Sequence, residues 1–392
     1  MNGPSTPPSA AQIGEYTLLE RIAVGGMAEV FRARRGEGAS AEVVVLKRIL
    51  PRVAAEAGGL SRFAEEARLG AYVDHPNVVR LLDAGLHREP PFLALEYVPG
   101  CDLWRLTRWL VREGRTLGVP LALHVVEELL RGLEAVHGAR DEAGRPLDIV
   151  HRDVSPSNVL LSTEGAVKLG DFGIAKATLR EERSRASLGA KGKIGYLAPE
   201  QVTGERPDQR ADVFSAAVIL AELLLGRPLF GCGSELAILL AIRDANVQPF
   251  LALELEAGLK AAVAAALAKD PAGRPASARA FMEALAPFQR EAAPALRLEL
   301  AGLVATATSV ERARRGATDA RVTVPAPAPD EPATPRVPEG SSDDARFSAT
   351  TQRVPTQTYR VSTTDGARLG PWTFAQLVEA LTTGRLGLED EV

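Results

Sequence analysis

Short β-branched runs and helical periodicity occupy different parts of this chain, and that segregation restricts the fold more than any other feature of the sequence. Runs rich in Val, Ile and Thr at 17–22, 30–33 and 43–49 read as strands. An amphipathic helix is predicted over about 61–72, and two further apolar runs, 78–82 and 92–97, complete a small sheet. Beyond Gly100 the apolar residues recur at three- and four-residue intervals, which predicts helices over 122–137, 212–225, 235–245 and 259–268. A β-rich lobe followed by a helical lobe is an α+β architecture, and the folded body runs from Tyr16 to about Phe288.

Outside that body the composition changes. Residues 1–15 are rich in Pro, Ser and Ala and lack the basic start and apolar core of a signal peptide, so an N-terminal disordered tail is expected. Residues 289–357 are rich in Ala, Pro, Thr and Arg, with Pro325, Pro327, Pro329, Pro332, Pro335 and Pro338 in close succession. Such a stretch offers too little apolar surface to offset the entropy of ordering it, and a semi-extended, disordered linker is predicted. Order is expected to return over 358–392, with a strand at 359–362 and an amphipathic segment at 373–381.

The charge balance excludes some functions. A formal net charge of −4 over 392 residues gives no global basic field for nucleic acid. The most apolar long stretch, 211–230, is broken by Asp212, Glu222 and Arg227, so no membrane span is read. Two cysteines, Cys101 and Cys232, make no disulfide framework and suit a reducing compartment, so a cytoplasmic protein is expected.

Two tripeptides carry the chemistry. His151-Arg152-Asp153 is followed by Asn158, and Asp171-Phe172-Gly173 comes about a dozen residues later. Either could arise by chance, but in this order they match what phosphoryl transfer requires: a group that orients a hydroxyl, and oxygen ligands for a divalent cation. Asp153 would accept or orient the hydroxyl proton, while Asn158 and Asp171 would hold Mg²⁺. A phosphate cradle is available upstream in Ile22-Ala23-Val24-Gly25-Gly26-Met27-Ala28-Glu29-Val30, between two predicted strands, where small residues let backbone amides approach phosphates. Read alone, that segment is better explained as a plain hairpin turn. Lys47, at the end of a predicted strand, would be the phosphate cation, held by Glu66 of the first helix, with Glu65 the alternative partner roughly 100° round that helix. Ala198-Pro199-Glu200 closes the polar segment that begins at Asp171, and Arg274 is available as a buried partner for Glu200.

On these motifs the chain resembles a bacterial eukaryotic-type serine/threonine protein kinase over residues 16–288. His75-Pro76-Asn77, the hinge-like Leu95-Glu96-Tyr97-Val98, and Asp212 add weaker landmarks. The resemblance implies a bilobal protein-kinase fold, ATP and Mg²⁺ as cofactors, and protein substrates. It implies that backbone groups of Glu96 and Val98 bind adenine between Val30, Val45 and Leu160, and that Asp102 meets the ribose or a basic substrate residue. Arg152 would await a phosphorylated activation segment, whose hydroxyls are Thr178, Ser184 and Ser187.

This sequence also departs from the family. Ala23 and Ala28 replace the outer glycines of the cradle, and Val45 is larger than the usual alanine. Ser155 stands where the family carries a lysine, and Lys193 where it carries a threonine. The resemblance implies that Lys193 delivers the ammonium that Ser155 lacks. The alternative is a pseudokinase scaffold that binds ATP or partners without phosphotransfer. A small-molecule kinase shares the core, but Ala198-Pro199-Glu200 and the long segment before it suit a protein substrate. Residues 359–386 resemble the start of a GYF-like domain, which implies a protein or proline-rich peptide partner; a strand and helix of an unrelated small domain is the other reading.

Overall fold

Antiparallel pairing organises nearly everything before residue 97. In the computed structural model the residues described are 12–36, 38, 41–86, 88–171, 193–231, 233–321, 358–362 and 368–373. Six strands, β1 (Gln12–Ile13), β2 (Tyr16–Val24), β3 (Ala28–Arg35), β4 (Glu42–Ile49), β5 (Leu81–Gly85) and β6 (Phe92–Glu96), form one sheet in the order β1-β2-β3-β4-β6-β5. Along β4 the side chains alternate, so Val44 and Leu46 enter the core while Val45 and Lys47 share the opposite face. One cluster under the sheet gathers Tyr16, Ala33, Val44, Leu46, Phe92 and Ala94. A second, built from Ile49, Val53, Phe63, Ala67 and Leu93, holds α1 (Pro51–Ala54) and α2 (Gly59–Gly70) against it. That packing sets the rotation of α2 and brings Glu66 to the buried side.

The helical lobe is built around two helices, α4 (Val119–His137) and α6 (Gln209–Leu225), numbered after α3 (Leu103–Arg112) and α5 (Pro199–Thr203). Every residue of α6 from Ala211 to Ala221 is buried, so this helix is apolar nearly all round, as a core helix must be. The Asp208 carboxylate caps its start by accepting from the Arg210 amide at 2.8 Å. Gly226 ends it at φ +67°, where any Cβ would also come within 2.6 Å of Thr116. Around this core lie α7 (Glu235–Arg243), α8 (Gln248–Leu251), α9 (Ala257–Ala266) and α10 (Ala278–Leu285). A second sheet, β7 (Gly100–Asp102), β8 (Val159–Ser162) and β9 (Val167–Leu169), sits between the lobes. The Val79 amide donates to the Leu169 carbonyl at 2.8 Å, and the Leu169 amide to the Asn77 carbonyl at 2.8 Å, stitching this sheet to the chain leaving α2.

Three expectations need correction. Residues 293–321 are no extended linker: α11 (Ala293–Arg321) starts there and buries Leu296, Leu300 and Val304 against the helical lobe. The strand predicted from 78 begins at Leu81, Val78 making only an isolated parallel bridge to Leu169. The expected N-terminal tail already contains β1, which pairs with Tyr16 and Thr17. α3 was not foreseen. Residues 1–11 and 322–357 lie outside the described residues. At the C-terminal end, β10 (Thr358–Ser362) and β11 (Arg368–Thr373) pair antiparallel, and 374–392 lie outside the described residues. Among the described residues no helix is long and apolar enough to cross a membrane.

Candidate active site

Lys47 is placed by strand register. β3 and β4 align Val30 with Lys47, β4 and β6 align Lys47 with Leu93, and the ammonium emerges into the space between lobes. Its Nζ lies 2.6 Å from Glu66 Oε1 and 3.0 Å from Asp171 Oδ1. Glu65 is excluded as the partner, because it accepts from two nitrogens of the Arg68 guanidinium, each at 2.7 Å. Burial works against the Lys47 charge, but Asp171 and Glu66 outweigh it and raise its pKa. Burial pushes Glu66 upward, with Lys47 opposing. The Lys47 charge holds Asp171 below the usual carboxylate range. A cation is thus fixed across three elements.

The loop bearing Asp153 hangs from α6. Asp212 accepts the His151 and Arg152 amides, each at 2.8 Å, and His137 Nε2 donates to the same carboxylate at 2.8 Å. Arg152 and Asp171 both have positive φ, +63° and +47°. Such conformations cost on the order of 1–3 kcal/mol in a non-glycine residue and persist only where surrounding bonds over-determine them. The buried His151 ring supplies two of those bonds, donating from Nε2 to the Gly170 carbonyl at 3.3 Å and accepting the Asp153 amide at Nδ1 at 3.3 Å. Burial keeps its pKa below the ordinary histidine value. Asn158 Nδ2 donates to the Asp153 carbonyl at 2.7 Å and to its Oδ2 at 2.9 Å. Lys193 Nζ then donates to Asp153 Oδ2 at 3.0 Å and to Asn158 Oδ1 at 3.2 Å.

Of the expected nucleotide-side residues, Val30 and Val45 lie on the neighbouring strands β3 and β4 and Leu160 on β8, all partly exposed. The chain turns from β2 to β3 at Gly25 and Gly26, with the Gly25 amide donating to the Ala28 carbonyl at 2.8 Å. Neither glycine has positive φ, and a Cβ at Gly26 would meet nothing within 4 Å. The turn does not itself need glycine there, which leaves close approach of a ligand as a reason for it. Ile22, Ala23 and Val24 are exposed, Met27 and Glu29 half-buried, and Ala28 buried. Asp102 caps α3, accepting the Arg105 amide at 2.8 Å. Beside it the Cys101 thiol is pushed up to about 11, chiefly by burial, and is an unreactive group.

Two interactions escaped sequence reasoning. Lys168 Nζ meets the Glu96 carboxylate at 2.9–3.0 Å, tying β9 to the hinge strand. His137 on α4 reaches Asp212, and only the fold juxtaposes them. The suggested Glu200–Arg274 pair does form, bidentate at 2.7 and 2.8 Å and buried. Among the described side chains, the Arg152 Nε is buried without a hydrogen-bond partner. Phe172, Gly173, Thr178, Ser184, Ser187 and Cys232 lie outside the described residues.

No group of three or more His, Cys, Asp or Glu side chains able to hold a metal occurs among the described residues. Asn158 and Asp171 instead offer one amide and one carboxylate oxygen. That hard-donor set fits Mg²⁺, which usually keeps water and takes phosphate oxygens as its other ligands.

Comparison with known proteins is consistent with this geometry. The family model for the protein kinase domain matches residues 16–285. The chain is 38% identical over 281 residues to tyrosine-protein kinase MasK of Myxococcus xanthus, covering 71% of this chain and 43% of that protein. It is 31% identical over 307 residues to serine/threonine-protein kinase pkn3 of Myxococcus xanthus, covering 73% and 53%. To serine/threonine-protein kinase PknB of Mycobacterium tuberculosis it is 34% identical over 266 residues, covering 66% and 40%. The chain therefore spans about half the length, or less, of these curated relatives. Among solved structures, the Mycobacterium tuberculosis PknI kinase domain superposes with a TM-score of 0.50 at 26% identity, covering 72% of this chain and 99% of that one.

Proposed function

We propose, since the chain belongs to the protein kinase domain family, that it transfers the γ-phosphoryl group of ATP to serine or threonine hydroxyls of protein substrates. The observation that carries this is the assembled set Lys47–Glu66–Asp171 facing Asp153–Asn158 in one cleft. Lys47 would pair with the α- and β-phosphates, with Glu66 fixing its direction. Asp153 would orient the acceptor hydroxyl and take its proton. The backbone of Glu96 and Val98 would bind adenine, with Val30, Val45 and Leu160 on its faces, and the turn from Ile22 to Val30 would close over the phosphates. Mg²⁺, held by Asn158 and Asp171, would supply charge neutralisation at the phosphates. Catalysis then consists of positioning and electrostatic stabilisation.

A pseudokinase scaffold is not favoured, because the chain is similar to named serine/threonine-protein kinases and carries Lys47, Glu66, Asp153, Asn158 and Asp171. The buried Arg152 Nε suits a phosphate on the segment containing Thr178, Ser184 and Ser187. ATP as substrate and the two-cysteine composition suit a cytoplasmic location. The hairpin of β10 and β11 is consistent with a partner-docking module, GYF-like, for a protein or proline-rich peptide; pull-down with a proline-rich peptide tests it, and no capture would remove it.

The test of function is incubation of the purified chain with radiolabelled ATP and Mg²⁺, followed by phosphoamino-acid analysis. Phosphoserine or phosphothreonine is expected. One relative carries the name tyrosine-protein kinase, so phosphotyrosine alone would overturn the acceptor assignment, and no incorporation would overturn the kinase reading.

A further inference from the structure

We propose that Lys193, which lies outside the catalytic loop, is the positioning cation of the phosphoryl-transfer site and does the work that position 155 cannot do in this chain. The proposal rests on the kinase reading above and extends it to one residue.

The geometry of Lys193 is over-determined. It precedes the short 3₁₀ turn Ile194–Tyr196. The far end of that turn is fastened to α6, where Ser215 Oγ donates to the Tyr196 carbonyl at 2.7 Å and Tyr196 Oη to Glu222 Oε2 at 2.6 Å. The same helix carries Asp212, which holds the His151 and Arg152 amides at 2.8 Å. The loop of Asp153 and the backbone of Lys193 are thus both referenced to one buried helix. That common anchor sets the backbone of Lys193 within reach of the Asp153 carboxylate.

The charges are complementary. An ammonium offers only donors, so its two contacts face Asp153 Oδ2 and Asn158 Oδ1, and the Asn158 amide nitrogen is left to donate to the same Asp153 Oδ2. Ser155 is buried at 2% exposure, and its hydroxyl lies 3.1 Å from that of Ser157. A serine there offers no charge to the site. The Lys193 side chain is 39% exposed, so its tip retains freedom to turn from Asn158 toward a phosphoryl oxygen as negative charge develops. Asn158 Oδ1 is also the oxygen assigned to the divalent cation. The ammonium and the metal therefore repel at one atom, and removing the first must favour the second.

Four proteins test this: wild type, Lys193→Ala, Ser155→Lys and the double variant. Maximal rate and KM for ATP are measured, together with Mn²⁺ binding to the ADP complex by electron paramagnetic resonance. Lys193→Ala should lower kcat about 10²–10³-fold, as loss of one charge-stabilising donor does, while KM for ATP stays within about threefold. Mn²⁺ should bind more tightly. Ser155→Lys should restore at least tenfold of the lost rate in the double variant and bring no gain in wild type. A Lys193→Ala rate within about threefold of wild type, or no rescue by Ser155→Lys, overturns the proposal. If wild type proves inactive the kinase reading falls separately. Mn²⁺ affinity then decides: tighter binding in Lys193→Ala supports the placement of the cation, and unchanged or weaker binding overturns it.

Discussion

Replacing Asp153 with Asn keeps the shape of the side chain and removes the charge that Asn158 and Lys193 both address. Turnover should fall roughly 10²–10⁴-fold, the scale of a positioned acid–base group, with ATP affinity nearly unchanged because Lys47 and the adenine slot are untouched. Thermal-shift titration with Mg·ATP beside a rate assay checks both halves, and near-full activity would remove Asp153 from its role. A second residue-scale prediction concerns stability. Arg274 serves Glu200 with two bonds, donates to the carbonyls of Ala268, Lys269 and Arg210, and lies 4.8 Å over the Phe214 ring. Arg274→Ala would strand a buried carboxylate and those carbonyls, and should cost about 3–5 kcal/mol, read as a fall in the urea midpoint. Residues such as Lys47, Asp153, Asn158 and Asp171 were legible as candidates in the sequence because the proposed phosphoryl transfer would dictate both their type and their order. Lys168 and Glu96 were not. They are 72 residues apart and of types that normally lie solvated on a surface, and only the fold, which brings residues of two different sheets together, makes them partners.

At the scale of elements, legibility followed apolar contrast. β3, β4, β6, α4 and α6 carry strong Val, Ile and Leu patterns, and the structure places them within a few residues of expectation. α11 was misread because Ala, Thr and Arg dilute its pattern and a proline-rich run follows it. Yet Leu296, Leu300, Val304 and Ala307, spaced four, four and three, form one helical stripe, and all four are buried. The helix also meets the turn between β8 and β9. Arg297 Nε donates to the Glu164 carbonyl at 3.0 Å, and a Cβ at Gly165, where φ is +77°, would fall 2.0 Å from the Arg297 carbonyl oxygen. Deleting the buried Leu300 side chain should therefore cost about 2–5 kcal/mol, the range for a large-to-small core change. A linker residue would cost almost nothing. Urea unfolding of Leu300→Ala distinguishes the two, and an unmoved midpoint would return this segment to the linker.

At the scale of the whole molecule, three histidines withdraw stability on mild acidification. Burial keeps His75, His124 and His151 below the ordinary histidine pKa; the cations of Arg131 and Arg297 press His124 further in the same direction. A base whose folded pKa is lowered binds protons more readily in the unfolded chain. Its contribution is complete above about 6.5, the ordinary value, and is lost as pH falls from there toward the folded value. Carboxyl groups act elsewhere or oppositely. Asp171, held down by Lys47, loses its contribution only as pH falls through the ordinary carboxylate range. Glu66, Glu127 and Glu222, raised by burial, resist acid instead. Below 6.5 the imidazoles lower the urea midpoint while the raised carboxyls oppose them, so the histidine contribution is read between pH 7.5 and pH 5.5 as a difference between variant and wild type. His124 on α4 is the informative one, because Arg297, one of its two opposing cations, comes from α11. Its Nε2 is buried without a hydrogen-bond partner among the described side chains, so His124→Leu removes a polar atom as well as a titration. The variant should unfold at a midpoint that depends less on pH than that of wild type. A slope equal to wild type would mean that His124 binds its proton equally in both states, and that α11 does not press on it.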